Sequence, residues 1–190
     1  MKKHFIQPQD LLLDAFLLAE KIYNSGFRPE FIIGVWRGGA PVGIAVQEYF
    51  DLVGAHADHI AIRTSSYYGI DQQQKDVKVF GLNYVIDNIH RDQQLLIVDD
   101  VFDSGRSIAA IIEAIQNKAG EATPTVIKTA CPWYKPARNV THLTPDYYLH
   151  TTDDWLVFPH ELCDLTLQEI QVGKGQDIAA VVARAASRTQ

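Results

Sequence analysis

Between Val98 and Ser107 the chain reads Val-Asp-Asp-Val-Phe-Asp-Ser-Gly-Arg-Ser, two adjacent carboxylates, a third at Asp103, and then a small, hydroxylated, basic stretch. These residue types suit a phosphorylated sugar. Free amides and the partial positive charge at a helix N-terminus hold phosphate, and Ser104, Gly105, Arg106 and Ser107 stand where such a helix would open. Asp99 and Asp100 can hold hydroxyls or a hard cation such as magnesium. The flanks have the right character: Leu95–Val98 is an apolar run that reads as a buried strand, and Ile108, Ile111, Ile112 and Ile115 follow at helical spacing. Each half alone also describes an ordinary capped helix beside solvated acids, with Asp103 or Ser104 as the cap. The Gly-x4-Gly-Lys spacing of a Walker A loop is missing.

Three other segments carry chemistry. Trp36-Arg37-Gly38-Gly39 follows an apolar run; its glycines let backbone approach an anion, and Arg37 offers a fixed fork to phosphate oxygens. Ser65-Ser66-Tyr67 lies in the polar stretch 64–76, which lacks an apolar face and reads as an exposed loop of the length that often serves as a lid. Lys75 and Lys78 stand at its return. Further on, Lys135 precedes Pro136, and Asp153-Asp154-Trp155-Leu156-Val157-Phe158-Pro159-His160-Glu161 follows. A Trp face can stack on a flat heterocycle or simply pack in a core. Lysine donates hydrogen bonds but accepts none, so it suits a carbonyl oxygen rather than an amino group. His160 reads as a surface histidine.

The elements that must position these groups alternate in type. Helical spacing covers 9–25, 42–50 and 107–118, while Phe31–Trp36, His59–Arg63, Val77–Phe80, Leu95–Val98 and Thr125–Ala130 read as strands. From Cys131 the pattern shifts to short β-like pieces, and the Ala/Val-rich stretch from Asp177 is helical. This alternation predicts an α/β fold, a mostly parallel twisted sheet flanked by helices. Ligands of such sheets bind beyond the carboxyl ends of the strands. The stretches 36–40, 64–76, 99–107 and 131–136 all follow strands and are expected to converge there.

Bulk properties narrow the function further. A chain of 190 residues suits one domain with a proper core. A net charge of −6 argues against broad nucleic-acid or anionic-membrane binding. No run approaches the ~18 apolar residues needed to cross a bilayer, and Pro8, Gln9 and Asp10 interrupt any apolar signal core, so the cytoplasm is the expected address. Cys131 and Cys163 lack metal-ligand spacing and read as buried small hydrophobes.

The 98–107 string resembles the phosphoribosyl-pyrophosphate (PRPP) loop of type I phosphoribosyltransferases, which carries two acids, two apolar residues and then Asp-Thr/Ser-Gly-x-Thr/Ser. Arg37-Gly38-Gly39 resembles that family's pyrophosphate loop, and the order from Lys135-Pro136 to Trp155 and Glu161 resembles the xanthine-guanine and hypoxanthine members of its purine salvage group. The resemblance covers about residues 30 to 162. It departs from the purine pattern at Asp99, where Glu is frequent, at Arg106-Ser107, and at Glu161, where Asp is usual.

The resemblance implies one phosphoribosyltransferase domain over 1–190, with a core about 27–131, a small C-terminal base-binding hood about 132–165 and a C-terminal helix about 176–188. It implies transfer of 5-phosphoribosyl from PRPP to a 6-oxopurine (hypoxanthine, guanine or xanthine) in purine salvage. Asp103 would be the catalytic base, with PRPP held by Arg37, Gly38, Asp99, Asp100, Ser104, Gly105, Arg106 and Ser107. Magnesium would be held by Asp99, Asp100 and Glu161, and Ser66 and Tyr67 would belong to a closing loop. Lys135, Trp155 and Leu156 would bind the base. It also implies a homodimer or homotetramer, and a cis peptide between Trp36 and Arg37. Two alternatives stand beside it: a regulator of the same fold that binds PRPP, nucleotide, RNA or protein, and a transferase for another base.

Overall fold

The computed structural model describes residues 2–68 and 75–187, with the side chains of 66–68 and 75–76 also outside the described set. It contains two compact units, residues 12–153 and residues 1–11 with 154–190.

The larger unit is built on a sheet. Its strands are β2 (Phe31–Trp36), β3 (Asp58–Tyr68), β4 (Lys75–Phe80), β5 (Gln94–Val98), β6 (Val101–Phe102), β7 (Val126–Tyr134) and β8 (Tyr147–Thr151). The order is β4-β3-β2-β5-β7, with β8 on the far edge of β7. Every pairing is parallel except β3 with β4. The expected α/β class and mostly parallel sheet are what the chain forms.

Both faces of this sheet are covered, which is why the central strands read as continuous apolar runs. Phe31, Ile33 and Val35 share one face with Leu95 and Ile97, against Val85 of α3 (Asn83–Asn88) and Ile108, Ile111 and Ile115 of α4 (Arg106–Ala119). Residues of the opposite parity face α2 (Gly39–Leu52), which packs on β2 and β5. There a Cβ on Gly43 would stand 3.3 Å from the Gly34 Cα, so the glycine pair lets helix and strand approach closely. Tyr23 of α1 (Pro8–Asn24) stacks edge-on against Tyr49 and Phe50 of α2.

Two expectations need correction. The stretch 64–76 is not wholly a loop: β3 runs to Tyr68 and β4 starts at Lys75, with Ser66 opposite Val77 and Tyr67 opposite Asp76 in the antiparallel ladder. Alternating polar residues pair as well as apolar ones when neither face is deeply buried, so polarity concealed the strands. The side chains of Ser66 and Tyr67, and residues 69–74, lie outside the described set. The second correction concerns β7, which runs past Ala130 to Tyr134. Pro132 within it has no N–H to give a ladder. On one edge β8 pairs with Cys131 and Trp133 but skips Pro132. On the other, β5 ends opposite Ala130, and β6 resumes in the same register opposite Trp133. Asp99 and Asp100 occupy the interruption.

In the smaller unit, β1 (Lys3–Phe5) pairs in parallel with β9 (Trp155–Val157). Two helices, α5 (Leu167–Lys174) and α6 (Gln176–Ala186), complete it. Lys3 pairs with Glu169 at 2.7 Å and also donates to the Asp164 carbonyl. Thr166 and Glu169 form a reciprocal capping box at the start of α5. The Thr-x-x-Glu string is a known helix opener, and it is the signal by which α5 was findable in the sequence.

Candidate active site

The acidic loop sits where parallel strands end. β2 and β5 are neighbours, so the turns after Trp36 and Val98 meet. Gly39 shows how closely: a Cβ there would lie 2.6 Å from the Val98 carbonyl oxygen and 2.7 Å from the Asp99 Cα. A Cβ on Gly38 would overlap the Asp100 carboxylate. Both glycines are therefore demanded by the approach of the two loops. Arg37 is exposed beside them, and the Trp36–Arg37 peptide is cis.

The carboxylates are not equivalent. Burial pushes the Asp99 carboxyl well above the usual carboxylate range, and the negative charge of Asp100 adds to the effect. Asp99 Oδ1 accepts from the Asp100 N–H, and Asp100 Oδ1 accepts from the Val101 N–H, both at 2.9 Å. Two adjacent carboxyls at the end of a strand form a donor set that fits magnesium. That ion usually takes one or two carboxylates and leaves its remaining positions to water and phosphate oxygens. Glu161 belongs to the smaller unit, where its Oε2 accepts from the Phe158 N–H at 3.0 Å. Among the described residues no group of three or more His, Cys, Asp or Glu side chains assembles as a metal site.

Gly105 turns the loop into α4 with φ +77°, a left-handed conformation suited to glycine. The first helical bond runs from Ala109 N to Gly105 O, so the amides of Ser107 and Ile108 precede the helical ladder. Ser104, Arg106 and Ser107 are half-buried around this turn.

Asp103 joins this loop to the end of β7. Its Oδ1 pairs with Arg138 Nε at 2.8 Å, and its Oδ2 stands 3.7 Å from Lys135 Nζ. Lys135 is buried, 5% exposed, and its N–H donates to the Phe102 carbonyl at 2.9 Å. Sequence reasoning named Asp103 and Lys135 but missed Arg138, which stands in the short turn Pro136–Arg138. Its position three residues after Lys135 was the only available signal. A cleft of about 280 Å³ lined by Pro136, Ala137, Thr151, Thr152 and Asp153 lies beside it.

Of the remaining expected site residues, Trp155 is 44% exposed on β9, with Leu156 buried next to it. Core packing is not what Trp155 does. His160 is exposed, its ring stacked on Phe158. Cys131 is buried as expected, but Cys163 is exposed, because it falls in the turn between β9 and α5 rather than in a core element.

Residues 9–166 match the family model of the phosphoribosyl transferase domain. The chain belongs to that family. Among solved structures it resembles purine phosphoribosyltransferase from Pyrococcus horikoshii Ot3, with 28% identity, a TM-score of 0.69, and coverage of 87% of this chain and 99% of that one. It shares its fold with a Neisseria gonorrhoeae protein with bound ppGpp, at 19% identity, a TM-score of 0.73 and 97% coverage of both chains. Among curated proteins it is 23% identical over 116 residues to hypoxanthine-guanine phosphoribosyltransferase of Lactococcus lactis subsp. lactis (strain IL1403). That stretch is 61% of this chain and 57% of the length of that relative.

Proposed function

We propose that this protein transfers the 5-phosphoribosyl group of PRPP to N9 of a 6-oxopurine in purine salvage, releasing pyrophosphate. The observation that carries the reading is the pair formed by Asp103 Oδ2 and Lys135 Nζ, an acceptor and a donor 3.7 Å apart. A 6-oxopurine protonated on N7 offers N7–H and O6 side by side on one edge, a donor beside an acceptor. Adenine offers an amino group where Lys135 needs an acceptor. Orotate would ask for extra positive charge for its carboxylate.

N9 attacks C1 of the ribose as the bond from C1 to the pyrophosphate oxygen breaks, and the leaving pyrophosphate takes that electron pair. The N7 proton passes to Asp103, acting as general base. Arg37 and Gly38 hold the pyrophosphate. The 104–107 turn, Ser104, Gly105, Arg106 and Ser107, holds the 5-phosphate with its amides and hydroxyls. Asp99 and Asp100 hold the ribose hydroxyls and magnesium, which when bound supplies positive charge to the pyrophosphate. Trp155 stacks on the purine, Leu156 offers backbone to its 2-position, and Glu161 supports metal or pyrophosphate. The reading includes a cytoplasmic homodimer or homotetramer.

The deciding experiment is pyrophosphate release from PRPP and magnesium with hypoxanthine, guanine, xanthine, adenine, orotate and uracil offered separately. Release with one or more 6-oxopurines supports the reading and ranks the bases. No release with any base, while PRPP still binds, replaces it with a regulator built on this fold.

A further inference from the structure

Arg138 takes no part in the reaction just described, yet it is the nearer of the two cations paired with the proposed base. We propose that Arg138 is a positioning residue: by holding Oδ1 of Asp103 it keeps Oδ2 out of a direct hydrogen bond with Lys135, leaving that oxygen free to take the proton and that ammonium free to meet O6. The inference rests on the proposed reaction and adds a residue to it.

The distances carry the argument. Arg138 Nε lies 2.8 Å from Oδ1, an ion pair at contact distance. Lys135 Nζ lies 3.7 Å from Oδ2, beyond hydrogen-bond length. A carboxylate beside a buried ammonium would ordinarily close that gap, and doing so would occupy both the acceptor and the donor the purine needs. The competing guanidinium prevents it.

Arg138 is also anchored to the loop it acts on. Its N–H donates to the Lys135 carbonyl at 3.1 Å, and Val140 N–H donates to the Ser104 carbonyl at 3.1 Å. Asn139 accepts from Thr141 N at 2.9 Å and donates to the Leu143 carbonyl at 2.7 Å. A Cβ on Gly105 would lie 2.9 Å from Asn139 Oδ1. The turn carrying Arg138 thus keeps register with the loop carrying Asp103. A stabilising role is a poor rival: the Arg138 and Asp103 side chains are 48% and 35% exposed, and ion pairs at such sites contribute little to folding.

The test uses Arg138→Met, which keeps the aliphatic stem, and Arg138→Lys, which keeps the charge without the fork. Both are assayed for pyrophosphate release in the native and the Asp103→Asn background, with thermal unfolding recorded alongside. In the native background Arg138→Met is expected to lower kcat about tenfold to a hundredfold, as misplacement of a reacting group does. The KM for PRPP and the melting temperature stay near those of the native protein, and Arg138→Lys recovers part of the loss. In the Asp103→Asn background the same change is expected to cost almost nothing further, because Arg138 acts through Asp103. An equal loss in both backgrounds, or native kcat in Arg138→Met, overturns the inference. Should Arg138→Met not fold, Arg138→Lys in the two backgrounds carries the same comparison. If the native protein releases no pyrophosphate with any base, the proposed reaction has failed and Arg138 loses this role with it; an active native protein with an indifferent Arg138 separates the two failures.

Discussion

Asp103 stands between two cations of unlike burial, Lys135 inside and Arg138 outside. As the proton acceptor, Asp103→Asn should lower kcat by about 10²–10⁴-fold, the usual contribution of a positioned general base, and leave the KM for PRPP largely unchanged. Steady-state kinetics with saturating purine check this, and unchanged turnover removes the base role. Gly105 makes a purely conformational demand. Its φ of +77° and the Thr141 and Asn139 side chains around it leave no place for a methyl group. Gly105→Ala should cost about 1–3 kcal/mol of stability, typical of a residue forced into a sparsely populated backbone region, read as a lower denaturant midpoint. Sequence alone pointed to Asp103 and Gly105, because their types and spacing are chemical. Arg138 was not legible: a lone arginine after Lys-Pro is an ordinary surface residue until the fold brings it to a carboxylate.

Elements were legible where burial made them periodic. The strand Phe31–Trp36 and the helix from Arg106 lie close to their expected places because two covered faces and one covered stripe force those patterns. The extension of β7 was hidden by Pro132, a residue that ordinarily ends a central strand. Here the proline breaks the ladder only locally, and the break is where Asp99 and Asp100 leave the sheet. On β9, Trp155 presents an exposed face. Trp155→Ala should weaken the purine by roughly 1–3 kcal/mol of lost stacking, or roughly five- to 150-fold in its KM, with little change for PRPP. An effect confined to PRPP moves Trp155 away from the base. In α5, hydrogen bonding from Lys3 and the Thr166 backbone lowers the Glu169 carboxyl from 4.5 to about 2. A depressed carboxylate contributes stability that is present above its unfolded pKa and disappears as pH falls through the folded one. The difference in denaturant midpoint between native protein and Glu169→Gln should therefore be full above pH 4.5 and vanish as pH falls to about 2. A difference independent of pH across that window rules this linkage out.

At the scale of the whole molecule the two thiols part company. Burial pushes the Cys131 thiol far up, whereas Cys163 is exposed. A thiol reagent on the native protein should modify one cysteine quickly and the second only on unfolding; two fast thiols would mean that Cys131 is reachable in the native state. Composition gave no means of separating them, since both are isolated cysteines in the chain. The division into two compact units was equally invisible. It falls between Asp153 and Asp154, within the stretch read as one hood, because β1 from the N-terminus pairs with β9 from near the C-terminus. By itself the sequence determined the alternation of strands and helices, the acidic loop at a strand end and the glycines beside it, since local periodicity and residue chemistry express these directly. Only the tertiary structure decided which loops meet, which carboxylate Arg138 holds and which side chains are covered, because contacts between distant segments depend on strand order and register, which no local pattern encodes.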